Sequence, residues 1–498
     1  MIKKIILTIT CIILFCGVGY YFTPQLVLNP SGKTPLSAVY KLPFVNRQPI
    51  TVTVKGQRGD ADLIHTFPAG YGKELGIHGL YPEAVNTVTV TQGNKTLSFQ
   101  IPISKIFAHG EWLPPSQVVK IDTDPSQTQA DNMYFISASI YGGTSAEKWV
   151  IMAFSRKGNL RYLNIDDPTR FNEMHRVVNN GKEMLLVNNF GAETMLGKSV
   201  FNLRGKDTEG HHDRVKVGER FISLAFSKWG VEDRVLELDA QGNILRDLSA
   251  GDLIRKIVYQ KNDPAEVEAL NRVVFDEKNI FVSQEGKEYP VDWAHINSSV
   301  YDEKTDILYL SFRNLGVVAV KYTPWEILWW MSNAKMDLLM EPPVTAYNRK
   351  FLSDLPSLAP YRVKGDGLTD GPKHHHALFL LPDGVIGLFD NRGYKDNESR
   401  YVEYKISGKY GAWKAKKVYE YYDPQANKND YTSDVDVLPD GTLLLGFGPS
   451  QVIMELDKKT KTKLYQLNLA LPSWMFYRVD KVPFYHTEGR VYPKEDQL

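Results

Sequence analysis

One unit recurs along most of this chain: a polar turn carrying Gly or Asp, followed by a short apolar strand. It reads SRKGNLRYL from Ser155, NNGKEMLLV from Asn179, DAQGNILRDL from Asp239 and DEKTDILYLSF from Asp302. It returns as PDGVIGLFD from Pro382, PDGTLLLGF from Pro439 and DKKTKTKLYQL from Asp457. Each is a hairpin turn leading into a buried strand. Gly158 and Gly181 are 23 residues apart, and Gly384 and Gly408 are 24 apart. Four-stranded propeller blades repeat at about 40–50 residues, so this spacing is two hairpins per blade. An all-β fold follows, with room for about six to eight blades over residues 132–498. Radial closure also protects strand edges that an open sheet would expose. A large β-sandwich is the competing architecture.

Ahead of the repeats, residues 35–121 read as short strands of a small β-sandwich. NTVTVTQGNKTLSFQIPI is two alternating runs around Gln92-Gly93-Asn94, a hairpin by pattern. The polar stretch 122–131 (DTDPSQTQAD) reads as a linker. Two segments break the repeat. Pro324–Met340 and Ala250–Val274 show helical spacing and are expected to be inserted helices or blade connections, with the tryptophans serving packing.

The N-terminus is separate from the repeats. Lys3 and Lys4 precede an apolar run, Ile5–Phe22, just long enough to cross a bilayer. The lysines would stay inside and send the remainder outward. Residues 1–22 are therefore expected to be a signal-anchor at the inner membrane, or a signal peptide, with a periplasmic domain after it. Cys11 and Cys16 are the only cysteines and both lie in this run. The exported part thus has no disulfide, no cysteine nucleophile and no cysteine-ligated metal. Lys plus Arg number 59 against 58 for Asp plus Glu, which gives no electrostatic case for nucleic acid.

Histidine is the informative residue type. His211 and His212 (GHHDRVKV), His295 (DWAHINSSV) and His374, His375 and His376 (KHHHALFLL) each stand just ahead of a turn and an apolar strand. Thr432 and Ser433 hold that place in DYTSDVDVL. The steps His212 to His295, His295 to His376 and His376 to Thr432 are 83, 81 and 56 residues. Innermost propeller strands line the axial channel, so this register aims polar groups from several blades at one point. Structural histidines around a water-filled channel would give the same pattern. A zinc site is a further alternative. Against it, strand alternation allows at most His374 and His376 of the triplet to face one ion, and no carboxylate recurs beside the histidines at the expected places apart from Asp213.

At these residues the chain resembles the bacterial aryl-sulfate sulfotransferases. The resemblance runs in order through GLYPEAVNTVTV, HHD, DWAHINS with SFRN, HHHALFLLPDGVIGLFDN, SRYVEYKI and YRVDKVPFY. It implies a six-bladed propeller carrying an N-terminal β-sandwich. It also implies transfer of a sulfuryl group from a phenolic sulfate ester to a phenol through a sulfohistidine, without an adenylyl-sulfate donor (PAPS). By motif the nucleophile falls on His376, with His374 and His375 as neighbours that spacing alone does not exclude. His295, Asn297 and Arg313 match the other catalytic positions, His211 or His212 a further channel histidine, and Thr432 and His375 substrate contacts. Such chemistry needs no cofactor and no metal. The partners implied are small aryl donors and acceptors, with a homodimer as the family expectation. A propeller that binds without catalysing, and a metal-dependent ester hydrolase, are the competing functions.

Overall fold

The computed structural model describes residues 24–490, apart from 125–130, 142–146, 166–174, 204–209, 228–230, 272–279, 283–287, 291, 314, 333–354, 369–370, 393–397, 427 and 489. The expected anchor, residues 1–22, lies outside the described residues. Among those described, no helix is long and apolar enough to cross a membrane.

Six sheets of four or five strands account for the repeat, antiparallel throughout except that Lys364–Asp366 adds in parallel to the edge of blade five. The inner strands of blades two to six are His175–Asn179, Gly210–Val217, Ile296–Asp302, His376–Leu381 and Asp434–Val437. Blade one is built from both ends of the propeller. Its inner strand is Ser473–Pro483, which pairs antiparallel with Asn132–Tyr141. Blade one's inner strand touches those of blades two and six, and contacts run on through blades three, four and five, so the ring closes. All seven turn-and-strand units fall on hairpins within these sheets.

Blade strands read as continuous apolar runs because both faces of each sheet pack on neighbours. Met184–Asn188, Leu443–Phe447 and Val452–Leu456 are buried at every position. The N-terminal sheets alternate instead: Ile50–Val54 buries every second residue. These two sheets hold three and four strands, and the hairpin around Gly93 joins Ala84–Gln92 to Lys95–Ile103. Two strands sit differently from the sequence reading. Gln25–Leu28 pairs with Ala38–Lys41 of the sandwich, and Val118–Asp122 pairs with Lys463–Asn468 at the outer edge of blade six. One apolar cluster runs from Val52 and Ile77 of the sandwich to Tyr134 and Phe154 of blade one. Arg161 crosses the same junction, donating to the Gly79 carbonyl and to Asp60, each at 2.8 Å.

The helical expectation holds for one insertion and fails for the other. Ala250–Lys261 and Pro264–Leu270 are helices, capped by the side chains of Ser249 and Asp263. Glu326–Met331, by contrast, is the outer strand of blade four. Its ladder has a bulge where Ala319 pairs with Trp329 and Val320 with Ile327. The extra residue puts Ile327 and Trp330, three apart, in one apolar cluster and Trp329 and Met331 in another. A bulged strand thereby imitates helical spacing. Residues 333–340 of that stretch lie outside the described residues.

Blade centres are tied by Arg478, which is buried on the inner strand of blade one. It pairs with Asp434 of blade six at 3.4 Å and Asp213 of blade three at 3.6 Å. It also donates to the carbonyls of His212 and Asn297, each at 3.4 Å. Arg176 of blade two reaches Asp213 at 3.3 Å. Asn297 and Ser298 of blade four in turn bond the His375 carbonyl at 2.7 Å and the Leu378 amide at 2.8 Å, bringing in blade five. A lysine ammonium lacks the planar, spread donors with which the guanidinium reaches two carboxylates and two carbonyls at once. We expect Arg478→Lys to cost about 2 kcal/mol, read as a lower urea midpoint with unchanged slope.

Candidate active site

The same backbone device opens the inner strands of blades three to six. His212, His295, His374 and Thr432 have φ of 51°, 49°, 50° and 55°, a left-handed conformation uncommon outside glycine. Just beside them the ladders of blades three, four and five slip register: between Gly210 and Arg214, Ile296 and Ser298, and His376 and Phe379. A bulge breaks strand alternation and re-aims side chains. Spacing alone therefore could not say which neighbour in HH or HHH faces the axis.

Geometry separates them. The rings of His212 and His295 lie 4.9 Å apart, and His212 stacks on Tyr477 at 5.7 Å. The His376 ring stands edge-on to Tyr477 at 6.0 Å. These four rings, from blades one, three, four and five, form one group. His211 packs against Phe226 at 4.8 Å, and His375 is fully buried with its carbonyl held by Asn297. Arg313, half-buried, carries a charge felt by both His375 and His376. Asn297 is committed elsewhere than expected: its amide nitrogen donates to His375 and its oxygen accepts from Ser311 at 2.7 Å. It thus acts on the backbone of blade five. The Thr432 hydroxyl is buried without a hydrogen-bond partner, and its carbonyl accepts from Asn391 at 3.0 Å.

Asn391 was missed by the sequence reading, although it ends the quoted LFDN motif. His376 pairs with Phe389 across the hairpin, which places Asn391 two residues beyond. Its Oδ1 lies 2.7 Å from His376 Nδ1. Its Nδ2 donates to the carbonyls of Asn429, at 2.5 Å, and Thr432. Carbonyls only accept, so the amide can be oriented one way, with Oδ1 toward the imidazole. His376 Nδ1 must then donate, and Nε2 carries the lone pair.

Two carboxylates were also missed. Asp213, the one carboxylate noted beside the histidines in the sequence, serves Arg478. Glu232 and Asp292 stand beside them instead. Glu232 Oε2 is 2.9 Å from His212 Nε2 and 3.2 Å from His295 Nδ1, and Asp292 Oδ2 is 2.6 Å from the same Nδ1. Neither acid recurs from blade to blade, so the repeat gave no signal for them.

Burial, reinforced by the Arg313 guanidinium, holds the His376 imidazole well below its ordinary pKa, against the hydrogen bond to Asn391. His376 is thus neutral at working pH. Burial also pushes His211 down to about 4 and His375 and His78 to about 3. Burial alone would raise the Glu232 carboxyl; His212, His295 and His211 outweigh it and hold it well below the carboxylate range. The buried neutral histidines have a consequence for stability. Unfolded imidazoles protonate near pH 6.5, the folded ones only near 3 to 4, so stability is complete above 6.5 and falls as pH drops toward 4. Between pH 7 and 5 we expect a loss of about 2 kcal/mol for each of these histidines, measured by urea unfolding at the two pH values.

Comparison with known proteins bears on this site. The family model described as "Arylsulfotransferase (ASST)" matches residues 118–478, and "Arylsulfotransferase Ig-like domain" matches residues 25–106. Arylsulfate sulfotransferase AssT of Lelliottia amnigena is 28% identical over 204 residues, 36% of this chain and 31% of that protein. The AssT of Escherichia coli O6:H1 is 27% identical over 198 residues, again 36% of this chain and 31% of that protein. The match thus spans under a third of the length of these curated relatives. Among solved structures, a putative 6-phosphogluconolactonase from Bacteroides fragilis has a TM-score of 0.37 at 12% identity, over 72% of this chain and 99% of that one. BamB from Moraxella catarrhalis has a TM-score of 0.30 at 10% identity, over 78% and 85%. Neither likeness adds to the fold read from strand pairing.

Proposed function

The chain belongs to the arylsulfotransferase family, and from that premise we propose that it moves a sulfuryl group from a phenolic sulfate ester to a phenol through a sulfohistidine on His376, with no adenylyl-sulfate donor. The observation that carries this reading is the fixed tautomer: Asn391 accepts from Nδ1 and leaves a neutral Nε2 lone pair beside the charge of Arg313.

In the first step His376 Nε2 attacks sulfur. The S–O bond to the aryl group breaks and its electron pair leaves with the phenolate. His295 is placed to give that oxygen a proton, since its Nδ1 is paired with Asp292 and Glu232 and its other nitrogen remains for the channel. Arg313 supplies fixed positive charge for the equatorial oxygens, where charge spreads in such transfers. In the second step an acceptor phenol gives its proton back to His295 as its oxygen attacks sulfur. The N–S bond breaks and the electron pair returns to Nε2. His212, hydrogen-bonded to Tyr477 at 3.1 Å, faces the same space. The aromatic ring of Tyr477 offers a surface for the aryl group. A periplasmic site tethered by residues 1–22, and a homodimer meeting through the sandwich, belong to the same proposal.

The test is incubation of the protein with 4-nitrophenyl sulfate and a phenol. Continued nitrophenolate release that requires the acceptor, with an acid-labile sulfuryl group on the peptide holding His376 when the acceptor is left out, is the expected result. Absence of transfer across a broad panel of donors and acceptors sinks the reading.

A further inference from the structure

We propose that His211, His212, Glu232, Asp292 and His295 form a binding site for one divalent transition-metal ion of the zinc class, set beside the sulfuryl-transfer channel. Five candidate ligand atoms from blades three and four converge here. Those of His211, His212 and Glu232 lie within 4.8 Å of one another, and so do those of Glu232, Asp292 and His295. Glu232 Oε2 is common to both groups. The donors are imidazole nitrogens and carboxylate oxygens, the set that suits zinc, iron or manganese better than calcium or magnesium.

A network of protons alone explains part of this arrangement. His212 can hydrogen-bond Glu232, and His295 can bond Asp292. It leaves His211 unexplained. That ring is fully buried, and neither nitrogen has a hydrogen-bond partner, although burying a polar group unpaired costs about 1–3 kcal/mol. The backbone of Ala225 lies near without closing a hydrogen bond of normal geometry. His211 Nδ1 instead faces Glu232 Oε2 at 4.0 Å, too far for a hydrogen bond and short enough for one ion to reach both atoms. Tyr477 supplies an outer partner, since its hydroxyl lies 3.1 Å from His212 Nδ1 and fixes Nε2 as the coordinating atom.

An ion held there would orient the His295 ring through Nδ1 and leave its other nitrogen toward the channel. It would place fixed positive charge behind the leaving phenolate without touching the sulfuryl group. The inference does not depend on sulfuryl transfer, and its test reads metal directly. The full chain, purified without chelator, is analysed by elemental mass spectrometry, then stripped and titrated with Zn²⁺ and Co²⁺. One ion per chain is expected, with visible ligand-field bands for the cobalt form. Glu232→Gln should weaken binding at least about tenfold. Asp292→Asn, at a less buried position, serves as the second variant if Glu232→Gln does not fold. His376→Ala should bind metal as the parent does, which separates this site from the nucleophile. Only trace metal with no cobalt bands, or cobalt binding indifferent to both carboxylate variants, overturns the proposal and leaves a hydrogen-bonded network.

Discussion

His376→Ala should lower sulfuryl transfer by at least about 10⁴-fold while the fold persists, because the residue contributes the bond-forming atom itself. The wild-type enzyme should show a rapid first release of one phenolate per chain before steady turnover, since the sulfuryl group waits on the enzyme between steps. The variant should lose both that burst and the modified peptide. His375→Ala tests the assignment within the triplet. The His375 side chain is fully buried, so truncating it leaves a cavity whose cost should appear in stability before it appears in chemistry. Full turnover by His376→Ala, or a sulfuryl group mapped to His374 or His375, would remove His376 from the mechanism.

How far the chain could be read in advance depends on whether a feature repeats. Turn-and-strand units at Gly158, Gly181 and Gly384 recur because each blade solves the same packing problem. They located hairpins, and with the family resemblance gave six blades. The shared placement of His212, His295 and Thr432 was legible for the same reason, although in blade five the left-handed position falls on His374 and His376 lies two residues beyond it. What does not repeat was lost. Glu232 stands in a single copy on a connecting segment, and only folding brings it to His295; Asp292 stands just three residues ahead of His295, but with no counterpart in the other blades it drew no attention. Arg478 looked like part of a terminal motif, and nothing local shows that it bridges Asp213 and Asp434. Bulges caused the remaining errors. They disrupt alternation at His211–Asp213 and at Ile327–Trp330, where a sequence reader relies on it most.

Asn391→Leu should lower kcat about 10²- to 10⁴-fold and leave KM within a few-fold, although Asn391 is not expected to touch substrate. The wild-type amide has no freedom to turn, because Nδ2 is held by the carbonyls of Asn429 and Thr432. That orientation keeps the proton on Nδ1 of His376. Leucine matches the branched shape but accepts nothing, so Nδ1 loses its partner and either nitrogen can carry the proton. With the proton on Nε2 the nucleophile has no lone pair aimed at sulfur, and the buried Nδ1 no longer has a group to face. Asn391→Asp separates orientation from charge. An oxygen still faces Nδ1, but the other now meets the carbonyls of Asn429 and Thr432 where an N–H stood. Aspartate should therefore restore part of kcat at a cost in stability, seen as a lowered thermal midpoint. If Asn391→Leu keeps kcat while losing only stability, Asn391 is a packing residue and the tautomer of His376 is set by something else.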